Sequence, residues 1–116
     1  MANLRKLALG RECLIRIPGI CTMDSSTVVL CHYRMSGFSG IGMKSPDWLG
    51  AYGCSACHDV CDARSGHWGG FARESRELLL LQGVIRTLAT LIDEGVIVVG
   101  GEEAKGSKVF RRVLSQ

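Results

Sequence analysis

Apolar residues recur at intervals of three and four along the second half of the chain: Leu78, Leu81, Ile85, Leu88 and Ile92. That period predicts one long amphipathic helix over 71–94. Gly95 follows as the residue that stops it, because glycine accepts the left-handed conformation that ends helices. Residues 78–81 are four consecutive leucines. That is wider than one core stripe needs, so part of the run is expected to face a partner. A homodimer through this Leu-rich helix is the expectation.

The first half reads differently. "TVVLCHYRM" (27–35) is the best strand, β-branched and then aromatic. If it is extended, Val28, Leu30, His32 and Arg34 share one face, with Val29, Cys31 and Tyr33 on the other. "CLIRIPGIC" (13–21) predicts a short strand with a turn at Pro18-Gly19. "ANLRKLALGRE" predicts a short helix or turn stopped by Gly10. Residues 36–53 form a long glycine-rich loop without periodicity, and such loops usually carry function. "CSACHDVCDAR" (54–64) predicts a short helix entered through a cysteine pair. "SGHWGG" then breaks the pattern. Two β-branched runs around a charged, glycine-rich turn predict a hairpin over 96–114.

Composition narrows the class. A chain of 116 residues with 47% apolar content is expected to be a single α+β domain with a small core, not a disordered chain. Such a core gains from a structural metal. The net charge of +3 permits a polyanionic partner without requiring one. Basic residues gather at both ends: five against two acidic over 1–34, and Lys105, Lys108, Arg111 and Arg112 in the tail. No secretory segment opens the sequence and no apolar run reaches membrane length. A soluble, cytoplasmic protein with no membrane partner is expected. In that compartment six cysteines read as thiols or metal ligands before disulfides.

Cys54 and Cys57 have the C-x2-C spacing of a zinc knuckle. Zinc needs two more ligands from Cys13, Cys21, Cys31 and Cys61. Cys13 and Cys21 bracket a turn, so their ends can meet. Cys31 sits in the strand, where a small apolar role is expected. Cys61 lies one helical turn after Cys57 and is either a substitute ligand or buried. A structural Zn2+ on Cys13, Cys21, Cys54 and Cys57 is the expected arrangement.

His58 and Asp62 are spaced i, i+4, so they share a face of the short helix. A histidine with a carboxylate suits a hydrolytic divalent cation with open positions. The same pair also makes an ordinary helix salt bridge, and a histidine after C-x2-C can itself bind zinc.

The order is a cysteine pair, a strand ending in His32, a glycine-rich loop, then Cys54-x-x-Cys57-His58. It resembles the HNH, or ββα-metal, endonucleases. More closely, "LRKLALGREC", "RIPGIC", "VLCHYRMSG", "CSACHD" and "EGVI" resemble small phage and prophage nucleases of the YbcO type, over roughly residues 2–97. The resemblance implies a zinc-stabilised ββα-metal domain with a core over 10–66, followed by the long helix and hairpin. It implies His32 as general base and His58 as ligand of a catalytic Mg2+ or Mn2+. Asp62 would be a second ligand, and Arg34 would steady the phosphate or leaving group. The substrate would be DNA, cut to a 5′-phosphate in phage recombination or processing within a bacterial host. One departure is Cys31, where many such enzymes carry an Asp or His ligand; a thiolate matches Mg2+ poorly.

Arg16, Arg34, Arg64 and His67 are the candidate nucleic-acid contacts, with His67-Trp68 set among glycines. Trp48 and Tyr52 either touch nucleic acid or cover the core. Two other function classes stay open: a non-catalytic zinc module that binds nucleic acid, and an interaction module built on the Leu-rich helix.

Overall fold

A computed structural model describes residues 3–35, 37–38, 45–62 and 70–100. The chain is a small α+β unit: strands β1 (Val29–His32) and β2 (Gly50–Gly53), then helices α1 (Ser55–Cys61) and α2 (Arg73–Asp93). Short 3-10 turns occupy Lys6–Ala8, Ser25–Thr27 and Asp47–Leu49. The strands pair antiparallel in the register Val29↔Gly53, Leu30↔Tyr52, Cys31↔Ala51 and His32↔Gly50.

β2 falls inside the segment expected to be a loop. Its sequence, Gly-Ala-Tyr-Gly, has little strand propensity. All four residues are buried, so packing against α2 and pairing with β1 decide its conformation. α2 approaches closely because of Gly83. A Cβ there would sit 3.0 Å from Ile15 Cγ1 and 3.1 Å from Ala51 Cβ. A mid-helix glycine costs about 1 kcal/mol relative to alanine; here it removes the atom that would hold helix and strand apart.

The strand expected over 13–21 does not form. Arg16 takes φ +56°, which breaks extended backbone, and Ile17–Cys21 close a turn. The segment is instead clamped between β2 and α2. Leu14 N–H donates to the Tyr52 carbonyl at 2.7 Å, and Arg86 donates to the Leu14 carbonyl at 2.9 Å. β1 is also shorter than 27–35, because Asp24 caps the Ser25–Thr27 turn and delays the strand.

α2 matches the expected helix to within two residues at each end. Gly95 has φ +78°, and the N–H groups of Val96 and Ile97 return to the Leu91 carbonyl. The core face differs from the expected stripe. Leu80, Val84, Thr87 and Leu91 are buried, whereas Leu78, Leu81 and Ile85 are 55%, 40% and 52% exposed. The expected C-terminal hairpin lies mostly outside the described residues; the part within them, 96–100, forms no strand. No helix among the described residues is long and apolar enough to cross a membrane.

Thr87 is a polar residue in the centre of this core, 1% exposed. Its hydroxyl accepts from Tyr52 N–H at 3.0 Å and donates to the Gly83 carbonyl at 2.8 Å. Thr87→Val is isosteric and leaves a buried N–H without an acceptor. It should lower unfolding free energy in urea by about 1–3 kcal/mol, whereas Thr87→Ser, which keeps the hydroxyl, should cost less.

Candidate metal centre and histidine pairs

Cys13 and Cys21 flank the Ile17–Cys21 turn, and Cys54 and Cys57 open α1. These four cysteines bring their sulfurs within 4.8 Å of one another. Cys21 Sγ and Cys54 Sγ are 3.9 Å apart. Zinc bonded to four thiolates at about 2.3 Å spans a tetrahedron with edges of about 3.8 Å, so the quartet has the right size. Among the described residues it is the one set of three or more Cys, His, Asp or Glu side chains gathered this closely.

The backbone is arranged for thiolates. Ile15, Arg16 and Cys54 direct N–H groups at Cys13, Met23 at Cys21, Cys57 and Thr22 at Cys54, and Ile17 at Cys57. The Cys57 thiol donates to Cys13 and, with the backbone donors, holds Cys13 down to about 4 against burial. Donating that bond, together with burial, pushes Cys57 up. Burial pushes Cys21 up to about 11. Burial also opposes ionisation of Cys54, but the donors outweigh it and hold the thiol below its ordinary range. Four sulfurs this close cannot all carry charge unless a cation sits among them. The donor set fits a structural zinc, which would tie the N-terminal turn to α1.

Cys31 and Cys61 lie outside the quartet. Cys31 is 1% exposed, directs its Sγ towards the Val29 carbonyl, and is pushed up by burial. Burial pushes Cys61 up to about 12. Both are core thiols rather than thiolates.

His32 ends β1 on the strand face opposite Cys31. Its Nε2 lies 2.8 Å from Asp47 Oδ1. Asp47 begins the 3-10 turn before β2 and also accepts from Arg5 at 3.2 Å. The His32 hydrogen bond, reinforced by Arg5, holds the Asp47 carboxyl below the usual carboxylate range. An ionised carboxylate only accepts, so Nε2 carries the proton and Nδ1 of neutral His32 keeps its lone pair. Asp47 was absent from the residues singled out in the sequence. Its signal is weak: an acid after Pro46 at the start of a turn.

His58 and Asp62 do share a face of α1, with Nε2 and Oδ2 3.0 Å apart. That separation suits a hydrogen bond. It equally suits two adjacent ligands of an octahedral cation, whose bonds of about 2.1 Å give an edge of about 3.0 Å. No third His, Cys, Asp or Glu joins them among the described residues. Arg34 is exposed. Arg16 folds back onto its own segment, its Nε donating to the Cys13 carbonyl at 3.3 Å. Tyr52 is fully buried and donates to the Leu4 carbonyl at 2.8 Å, so it belongs to the core. Trp48 is on the surface. Arg64, His67, Trp68 and the basic tail lie outside the described residues.

Known proteins bear on this arrangement. Residues 2–96 match the family model described as "Putative nuclease YbcO". Two curated relatives, from Escherichia coli strain K12 and Enterobacteria phage 82, carry that same description. Each is 46% identical over 99 residues, covering 84% of this chain and 98% of the relative. A solved structure described as a bacteriophage protein from Escherichia coli K-12 is similar, with a TM-score of 0.66 and 40% identity. It spans 80% of this chain and all of the solved one.

Purified protein should contain about one tightly held zinc per chain. Cys54→Ser and Cys57→Ser should lose it, whereas Cys31→Ala and Cys61→Ala should keep it. Elemental analysis by mass spectrometry after chelator dialysis reads the difference.

Proposed function

The chain belongs to the YbcO family, and from that premise we propose that it is a metal-dependent DNA endonuclease of the HNH-like class. The observation that carries the proposal is the 2.8 Å contact between His32 Nε2 and Asp47, which leaves Nδ1 as a base at the end of β1. The relatives' description as nucleases supports the reaction class.

In this reading the zinc quartet is structural, because four thiolates leave no open position for substrate. His58 and Asp62 would hold the separate divalent cation, Mg2+ or Mn2+, which would supply positive charge to the scissile phosphate. His32 takes the proton from the attacking water through Nδ1. Asp47 fixes the ring through Nε2–H and stabilises the imidazolium that forms. The Arg34 guanidinium contacts a phosphate oxygen or the leaving group. The water's oxygen bonds to phosphorus, the P–O3′ bond breaks, the departing O3′ takes a proton from solvent water, and the products are a 5′-phosphate and a 3′-hydroxyl. Arg16, Arg64 and His67 complete the DNA contacts. The setting is phage DNA recombination or processing in the host cytoplasm.

A second part of the reading concerns α2. Leu78, Leu81 and Ile85 form an exposed stripe spaced by three and four residues, the pattern by which one helix packs on another. We assign it to a second copy of this chain. Sedimentation velocity should show a concentration-dependent dimer that Leu81→Glu with Ile85→Glu converts to monomer. A monomeric wild type at all concentrations would remove this part alone.

Supercoiled plasmid with Mg2+ or Mn2+ should be nicked by the wild type. His32→Ala should slow nicking by about 10²–10⁴-fold with zinc content unchanged. Asp47→Ala should slow it less, because the base remains but loses its orientation. A wild type that binds DNA without cutting would favour a non-catalytic zinc module.

A further inference from the structure

Trp48 follows Asp47 directly in the Asp47–Leu49 turn. Its backbone is therefore fixed to His32 through the 2.8 Å bond that Asp47 makes. Phe38 approaches Trp48 edge to face, with ring centroids 6.0 Å apart and planes at 86°. Trp48 is 49% and Phe38 39% exposed, and Met35, whose carbonyl accepts from Phe38 N–H, is exposed as well. Tyr52, four residues further along the chain, is fully buried by contrast. The fold thus had room for an aromatic ring in the core and nevertheless leaves these two outside.

A T-shaped pair uses one ring's edge and one face of the other. The remaining ring faces are not used by the pair. Two arginines come near by contact or by chain position: Arg5, which bonds the Asp47 carboxylate next to Trp48 at 3.2 Å, and the exposed Arg34, four residues before Phe38. Open aromatic faces beside guanidinium groups are the two components of a single-strand binding surface, stacking for the base and charge for the phosphate. Inside a duplex both faces of a base are covered by its neighbours, whereas an unpaired base presents the open face that a protein ring stacks on.

We propose that Trp48 and Phe38 form a stacking platform for an unpaired nucleobase beside the phosphate presented to His32. This rests on the endonuclease reading of His32 for its second half. It narrows the substrate to DNA carrying unpaired nucleotides at the cut, such as single strands, bulges or flaps.

Binding tests it without cutting. With Mg2+ and Mn2+ withheld so that His32 and its bond to Asp47 stay intact and no cutting occurs, fluorescence anisotropy with a labelled single-stranded oligonucleotide is compared with a blunt duplex of the same sequence. Trp48→Ala should weaken single-strand binding by about ten-fold or more and change duplex binding by less than about two-fold. Trp48→Phe should restore most of the loss. Zinc content and circular dichroism confirm that each variant is folded. Equal weakening on both DNAs, no weakening on the single strand, or no single-strand binding at all would overturn the platform. Nicking by the wild type is scored separately. A selective Trp48 effect in a protein that never cuts keeps the platform and removes the endonuclease reading. Cutting without the selective effect does the reverse.

Discussion

Four cysteine sulfurs must share a space less than 5 Å across, and the first half of the chain is arranged around that requirement. The quartet joins two short pieces with little structure of their own: the Cys13–Cys21 turn and the start of α1. The first has no strand ladder to hold it, since Arg16 turns its backbone out of the extended region. The N–H groups of Ile15, Arg16 and Ile17 are directed at sulfur, while Leu14 N–H reaches β2. A two-stranded sheet with one long helix is a marginal core for a chain of this length. A metal held by the quartet would supply what a larger sheet would otherwise provide. α2 completes the packing through Gly83 and Thr87, one removing an obstacle and the other accepting the N–H that Tyr52 has to spare.

The same arrangement separates two kinds of chemistry. The four cysteines form a closed group, three of them buried, while His32 and His58 stand on other faces of the elements that the cysteines anchor. His32 lies across β1 from Cys31, and His58 follows Cys57 on α1. The cysteine at position 31 then has a plain account. It points into the core, as a small apolar residue does, and not towards the surface that His32 occupies. The position before the histidine therefore contributes packing here, and Asp47 reaches the histidine from across the sheet edge.

Some of this was legible in the sequence. The cysteine quartet followed from one knuckle spacing and one turn, and α2 followed from its period and from Gly95. Those features are local, and local geometry settles them. What escaped depended on distant partners. Gly50–Gly53 looks like loop and becomes a strand because β1 and α2 bury it. The 13–21 segment alternates like a strand, but its hydrogen bonds go to sulfur, to β2 and to α2. The leucine period predicted the helix correctly and its buried face wrongly. Leu78, Leu81 and Ile85 keep a helical stripe as regular as the one that packs. Asp47 could not be paired with His32 from spacing, since the contact crosses a glycine-rich stretch without periodicity.

A zinc held by sulfur alone would organise the fold and leave His32 and His58 outside its shell. X-ray absorption at the zinc edge of the purified protein tests this most directly. Four sulfur neighbours at about 2.3 Å and no nitrogen shell are expected. A nitrogen at about 2.0 Å would place a histidine on the zinc and contradict the account, as would a folded protein that carries no zinc.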